Sequence, residues 1–543
     1  MKQPPNMKNY EKEYRGFSLI VPERFSFPMD VLDKWGERPA LFWADGSLEK
    51  GFSFNELKIL SAKGAGALKK IGVERGEKVL VMLPNIPEWW EVMLALMRLK
   101  AIPIPATVLL TARDIEYRLS ATDIRAVVAT EEDALKVEEA VNSSFTKDTD
   151  PSLIIIGERK GWYNYLRERD EAEPFIGERA FADESALIYF TSGTTGPSKL
   201  VLHTQESYPL AHVITGKYWL DLRPGDIFWN LSDTGWAKAA WSSLFGPWHQ
   251  GATVFSFHRK GKFDPSLTID IMKKYPITVF CAPPTAYRMM VKETSLQRHL
   301  SSSLRHFVAA GEPLNREVIN IWKERTGKYI YDGYGQTETA NVLANFRCLP
   351  VKPGSMGLPV PGFIVDIIDD NGNPASEGIE GDIAIKIKPS RPVGLFREYL
   401  GNPTETEKTI KGEWYITGDR AYKDKDGYFW FLGRADDIML TSGYRIGPFE
   451  IESILIEHPA VEESAAVASP DEIRGEVVKA FVVLAKGYQP SDALVKELQE
   501  FVKKHTAPYK YPRKIEFLDE LPKTISGKIK RKELKLKEFA KIR

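Results

Sequence analysis

Short apolar runs alternate with amphipathic stretches through the first two thirds of the chain. Residues 78–83 form an apolar run closed by Pro84 and Asn85, and helical periodicity follows from Glu88 to Leu99. The alternation continues through the run 101–105, a helical segment 112–120, and strand-like runs at 126–129 and 153–156. It returns at 252–257, 278–282 and 305–309. Continuous apolar runs of this length suit strands buried on both faces, so the pattern predicts parallel βαβ units under helical layers.

The texture changes near residue 350. Gly354, Gly357, Pro359, Pro361 and Gly362 punctuate short strands at 363–368 and 382–387, with an Asp370-Asn371-Gly372 turn between them. Glycine and Asn-Gly turns at this density predict a β-rich subdomain. Beyond Gly433 a helix is expected at 449–457, strands at 461–468 and 477–484, and an amphipathic helix at 491–505. The fold class is therefore α/β. A large N-terminal region, residues 1–435, combines βαβ-layered subdomains with a β-rich part at about 350–432, and an α+β C-terminal domain occupies 436–543.

Composition narrows the classes. The 543 residues suggest three or four domains at roughly 150 each. With 43% hydrophobic and 27% charged residues, the chain is neither disordered nor fibrous. Its 74 basic residues balance 74 acidic ones, which gives no support to a nucleic-acid partner. Cys281 and Cys348 have no neighbouring Cys or His at ligand spacing, so neither a disulfide framework nor a zinc site is expected. The most apolar stretch, 79–110, is broken by Pro84, Pro87, Arg98, Lys100 and Pro103, and integral membrane association is not expected. The first residues lack the apolar core of a secretory signal, and a cytoplasmic location is the expectation. Neutrality hides one local imbalance: residues 510–543 hold 12 Lys+Arg against 5 Asp+Glu.

Candidate chemistry begins at Tyr189. An apolar segment, 186–190, runs into Thr191, Ser192, Gly193, Thr194, Thr195, Gly196, Pro197, Ser198 and Lys199. Backbone N–H groups freed by glycine, several hydroxyls and a cation are the groups that hold a polyphosphate. The spacing is not that of a Walker A loop. Five more strings follow in order: Tyr334-Gly335-Gln336-Thr337-Glu338, Thr417-Gly418-Asp419, Gly433-Arg434-Ala435-Asp436-Asp437, Ser442-Gly443-Tyr444-Arg445-Ile446, and Pro522-Lys523-Thr524-Ile525-Ser526-Gly527-Lys528. Together they resemble the adenylate-forming superfamily of acyl-CoA synthetases, luciferases and peptide-synthetase adenylation domains. Phe52-Ser53-Phe54-Asn55-Glu56-Leu57 extends the resemblance into the first third.

The resemblance implies ATP, Mg²⁺ and coenzyme A as co-reactants of a small-molecule carboxylic acid. Residues 1–435 would be the AMP-binding domain. Thr191, Ser192, Gly193, Thr194, Thr195, Gly196 and Lys199 would hold the phosphates, with Glu338 as the magnesium carboxylate. Gly311, Glu312 and Pro313, with Asp332, Gly333, Tyr334, Gly335, Gln336 and Thr337, would frame the nucleotide. Asp419 and Arg434 would bind the ribose, and Lys528 would stabilise charge in the first step. The C-terminal domain would be mobile, turning about Asp436 to bring Ser442, Gly443 and Tyr444 to CoA. Arg445, Arg474 and Arg513 are candidate contacts for its nucleotide end.

Acetyl-specific relatives carry a tryptophan where this chain has Gly335, so its missing side chain is expected to open the acyl pocket. Trp236 and Trp241 are expected walls. Asp233-Thr234-Gly235-Trp236 and the segment 506–513 resemble the medium-chain acyl-CoA synthetase branch. The expected product is a medium-chain or branched-chain acyl-CoA. Aryl-CoA formation, loading of a separate carrier protein, and non-catalytic nucleotide binding are the alternatives.

Overall fold

The computed structural model describes residues 4–541 apart from 144–149, 192–197, 260, 297–299, 442–443, 472–474, 507–509 and 525–526. A nine-stranded sheet runs in the order Leu358–Pro359, Asn341–Ala344, Ile330–Gly335, His306–Ala310, Val279–Ala282, Ile227–Asn230, Thr253–Phe257, Pro39–Ala44, Glu49–Ser53. The strands from Ile330–Gly335 to Pro39–Ala44 are parallel, and the outer ones turn antiparallel. A second sheet is wholly parallel: Ile102–Pro105, Lys78–Met82, Ile124–Thr130, Ser152–Ile156, Tyr163–Asn164. Pro103 and Pro105 lie on its edge strand, where a missing N–H breaks no ladder.

The predicted βαβ alternation is present, with ends shifted by a few residues. The run expected at 126–129 extends over Ile124–Thr130, and the helix expected from Glu88 begins at Pro87. That helix, Pro87–Leu99, buries every side chain except Glu88; its buried charges are paired, Glu91 with Arg169 at 3.0 Å and Arg98 with Asp33 at 2.9 Å. Trp90 Nε1 donates to the Ser243 carbonyl at 2.6 Å, tying the helix to the layer over the larger sheet. Burying each such apolar side chain contributes about 1.5–3 kcal/mol.

Ser53-Phe54-Asn55-Glu56 has a structural role. Glu56 N donates to Ser53 Oγ at 3.1 Å, and Ser53 N donates back to Glu56 Oε2 at 2.7 Å. This capping box opens the helix Phe54–Ile71 and stabilises it by about 1 kcal/mol.

The β-rich part is antiparallel. Val365–Ile368, Gly381–Lys386, Trp414–Lys423 and Ile410–Lys411 are neighbours, and Phe429–Arg434 pairs with Trp414–Lys423. A smaller antiparallel sheet joins Ser185–Thr191, Lys199–Thr204 and Glu398–Tyr399, the last contributed from within the β-rich part of the chain. The C-terminal strands Val461–Asp471, Gly475–Leu484 and Lys514–Phe517 pack with three helices, Pro448–Glu457, Asp492–His505 and Arg531–Ala540. They have their own apolar clusters, one around Ile451, Val478 and Leu498 and another around Val467, Phe481 and Leu534.

Candidate functional site

One cavity of about 1750 Å³ opens beyond the carboxyl ends of the parallel strands. Open α/β sheets place ligands there, because the strand ends release loops with unpaired backbone groups. Segments after three neighbouring strands reach it: Pro283 after Val279–Ala282, Gly311 to Asn315 after His306–Ala310, and Gln336 to Glu338 after Ile330–Gly335. The antiparallel sheet supplies Asp419 and Arg434, and the C-terminal region supplies Lys528 and Arg531.

Thr191 and Lys199 face each other in register across an antiparallel pair. Ser192, Gly193, Thr194, Thr195, Gly196 and Pro197 lie outside the described residues. Lys199 Nζ stands 2.8 Å from Glu405 Oε2 and 4.6 Å from the ring centre of Tyr399. The cations of Lys199 and Lys408 hold the Glu405 carboxyl down at about 2. Tyr399 donates its hydroxyl to Glu338 Oε1 at 2.7 Å, and its own ionisation is pushed up chiefly by burial. Sequence reasoning missed Tyr399 and Glu405. Neither sits in a string of unusual composition, and strand pairing of Val201 with Tyr399 brings their segment beside the strand that begins at Lys199.

Asp419 is the centre of the next cluster. Its Oδ2 accepts from the Tyr334 hydroxyl at 2.6 Å and from Gln336 Nε2 at 2.7 Å, while Oδ1 accepts from Arg434 Nη1 at 3.1 Å. Asp419 and Arg434 are register partners on neighbouring strands, so the sheet itself sets their separation. The Asp419 charge beside it raises the Arg434 pKa further. Asp332 is buried, receives the Gly333 N–H at 3.1 Å, and is pushed well above the usual carboxylate range by that burial.

Gly311 has φ +105°, in the left-handed region that only glycine adopts freely. It turns the chain into Glu312, whose Oε2 accepts from Thr285 Oγ1 at 2.7 Å and Arg288 Nη2 at 2.8 Å. Arg288 Nη1 also donates to Asn315 Oδ1 at 3.3 Å, and Asn315 Nδ2 donates to Ser453 Oγ at 3.0 Å. The last bond crosses to the C-terminal elements.

Gly335, expected to open the acyl pocket, lines the cavity. A Cβ at Gly335 would lie 2.4 Å from the Ala340 carbonyl oxygen and 2.6 Å from Trp241 Cη2. The indole of Trp241 takes the room that the missing side chain leaves. Trp236 and Trp241 both line the cavity.

Lys528 is displayed on a tight turn. Thr524 N donates to the Lys528 carbonyl at 2.8 Å, Lys528 N donates to Thr524 Oγ1 at 3.1 Å, and Lys523 bridges to Ile529. Ion pairs hold both ends: Lys523 Nζ to Glu463 at 2.6 Å, and Arg531 to both oxygens of Glu452 at 2.8 and 2.6 Å. Asp436 and Asp437 share the turn Ala435–Asp437 and both line the cavity; Asp437 Oδ2 is 3.9 Å from Arg531 Nη1. Burial raises the Asp437 pKa.

Of the residues expected to meet CoA, Ser442, Gly443 and Arg474 lie outside the described residues. Tyr444 and Arg445 start the strand Tyr444–Ile446, their backbones opposite Thr441 and Leu440. Arg513 donates to the Tyr511 hydroxyl at 2.8 Å, stacks 4.9 Å from that ring, and is not among the residues lining the cavity.

With this geometry in place, residues 30–400 match the family model of the AMP-binding enzyme, and 450–528 that of the AMP-binding enzyme C-terminal domain. The chain is 48% identical over 552 residues to the Mus musculus acyl-coenzyme A synthetase ACSM3, mitochondrial, covering 99% of this chain and 94% of that protein. It is 50% identical over 537 residues to the Homo sapiens acyl-coenzyme A synthetase ACSM4, mitochondrial, covering 96% and 91%. Among solved structures, the anthranilate CoA ligase AuaEII in complex with anthranoyl-AMP aligns with a TM-score of 0.87 and 30% identity, covering 96% of this chain and 99% of that one. The mitochondrial designation of the mouse and human relatives overturns the cytoplasmic expectation.

Proposed function

Since the chain belongs to the AMP-binding enzyme family, we propose that it is an AMP-forming acyl-CoA synthetase acting in two steps. First, a carboxylate oxygen bonds to the α-phosphorus of ATP, and pyrophosphate leaves with the electron pair of the broken P–O bond. The CoA thiolate then bonds to the acyl carbon of acyl-AMP, and AMP leaves. The observation that carries the reading is that Lys528, Glu338, Asp419 and Arg434 line one cavity although three separate parts of the fold supply them.

Thr191 and Lys199, with the loop between them, are the proposed phosphate holders. Asp419 and Arg434 are the ribose contacts, and Asp332 and the Gly311 loop frame the base. Lys528 stabilises charge as the first bond forms, an effect that grows in a water-poor site. No group of three or more His, Cys, Asp or Glu side chains suitable for a metal ion occurs among the described residues. The Glu338 carboxylate fits Mg²⁺, an ion that takes one or two protein oxygens and completes its shell with phosphate and water. When bound, Mg²⁺ would neutralise phosphate charge.

We place the domain boundary between residues 435 and 436, with Asp436 as hinge. The second step would follow rotation of residues 436–543, which withdraws Lys528 and brings residues 442–445, with Arg474 and Arg513, toward CoA. Trp236 and Trp241 wall an apolar acyl site suited to a medium-chain or branched acid, in keeping with lipid metabolism. Aryl acids are the second reading, favoured by the similarity to an anthranilate CoA ligase. AMP release with CoA across straight, branched and aromatic acids tests both. Highest kcat/KM for medium-chain acids supports the first reading, and highest kcat/KM for aromatic acids the second.

A further inference from the structure

Lys199 and Glu338, the cation and carboxylate proposed for ATP and its metal, are both engaged by one short segment. Tyr399 donates to Glu338, and Glu405 pairs with Lys199 at 2.8 Å. The two partners are tied together: Tyr399 N donates to Thr406 Oγ1 at 2.9 Å, and Asn402 Oδ1 accepts from Glu405 N at 3.1 Å, closing the loop that joins them. The segment is fixed to the phosphate-loop strands by the pairing of Tyr399 with Val201 and Glu398 with Leu202. Glu405 has a second cation, Lys408 Nζ, at 2.5 Å.

We propose that Glu405 is a positioning residue that stands in for a phosphate oxygen on Lys199 and is displaced when ATP binds. The inference rests on the reading of Lys199 as a phosphate ligand. Three features make the exchange favourable. A triphosphate carries several negative charges against the single charge of Glu405, and Lys408 keeps the displaced carboxylate neutralised. The pair is also partly open to solvent, with the Lys199 and Glu405 side chains 31% and 28% exposed, so water screens what is lost. Once pyrophosphate departs, Glu405 recaptures Lys199. The carboxylate thus keeps the lysine oriented between turnovers and opposes retention of pyrophosphate. AMP has no β- or γ-phosphate and should be indifferent to it.

Glu405→Gln keeps shape and removes the competing charge. Isothermal titration without acid substrate, so that no turnover occurs, would measure ATP, pyrophosphate and AMP. The expected result is tighter ATP and pyrophosphate binding by about two- to fivefold, the range open to a half-exposed ion pair, with AMP unchanged. Glu405→Asp, which keeps the charge, should stay within twofold of the parent for all three. Damage to the fold would weaken binding, so a gain in affinity separates competition from disruption. Unchanged or weaker ATP binding in Glu405→Gln, or equal tightening toward AMP, overturns the proposal. If the parent itself binds no ATP, the assignment of the site falls with it; if the parent binds ATP and Glu405→Gln matches it, only this inference falls.

Discussion

The floor of the cavity and the arm that reaches it are built by different means. Asp419 and Arg434 are set opposite each other by strand register, and Tyr334 and Gln336 saturate the carboxylate from the neighbouring sheet. Lys528 sits on a turn held by ion pairs, Lys523 with Glu463 and Arg531 with Glu452. Ladder hydrogen bonds fix geometry cooperatively over many residues, whereas a turn held at two points can travel as a body. On the proposed reading, the nucleotide side would be preorganised and the Lys528 cation delivered.

Four substitutions sharpen or break that contrast. Lys528→Ala should lower acid-dependent ATP–pyrophosphate exchange by about 10²-fold or more, yet still convert supplied acyl-AMP to acyl-CoA. Equal loss of both steps would mean that the arm is part of the floor. Asp419→Ala strands three donors around a buried position, and denaturant unfolding should report a loss of about 1–3 kcal/mol with weaker ATP binding. No change in stability would show that register alone carries the site.

Arg531→Gln removes the charge that pairs with Glu452 and faces Asp437. Exchange should fall about tenfold through misplacement of Lys528, with the second step nearly intact. A matched fall in both would assign Arg531 to folding alone. Gly335→Ala puts a methyl against the Ala340 carbonyl and Trp241, and unfolding should report about 1 kcal/mol of overpacking. Wild-type stability would show that Trp241 yields, reopening the acyl space first expected there.

Much of the scaffold was legible because its strands are unbroken apolar runs and its helices periodic, and residues 78–83 and 88–99 illustrate both. The chemistry was legible where it is local in sequence. Tyr334 to Glu338, Asp419 and Lys528 each sit in a compact string. What sequence could not reveal is side chains meeting by strand pairing alone. Glu405 resembles any acid on a short surface helix until Lys199 is seen beside it. Gly335 makes a related point: a small residue signals room, but only packing shows that Trp241 stands beside it. The helix Arg531–Ala540 also went unread, its apolar positions being few amid charge.

The bond from Asn315 to Ser453 gives the joint between the two bodies an unexpected address. Asn315 is tied through Arg288 to Glu312, the rim proposed to grip the purine. If the Gly311 loop frames the base as proposed, the contact between Asn315 and Ser453 is also the lip of the nucleotide pocket. On that reading, a base seated there shares its boundary with the contact between the two parts of the chain.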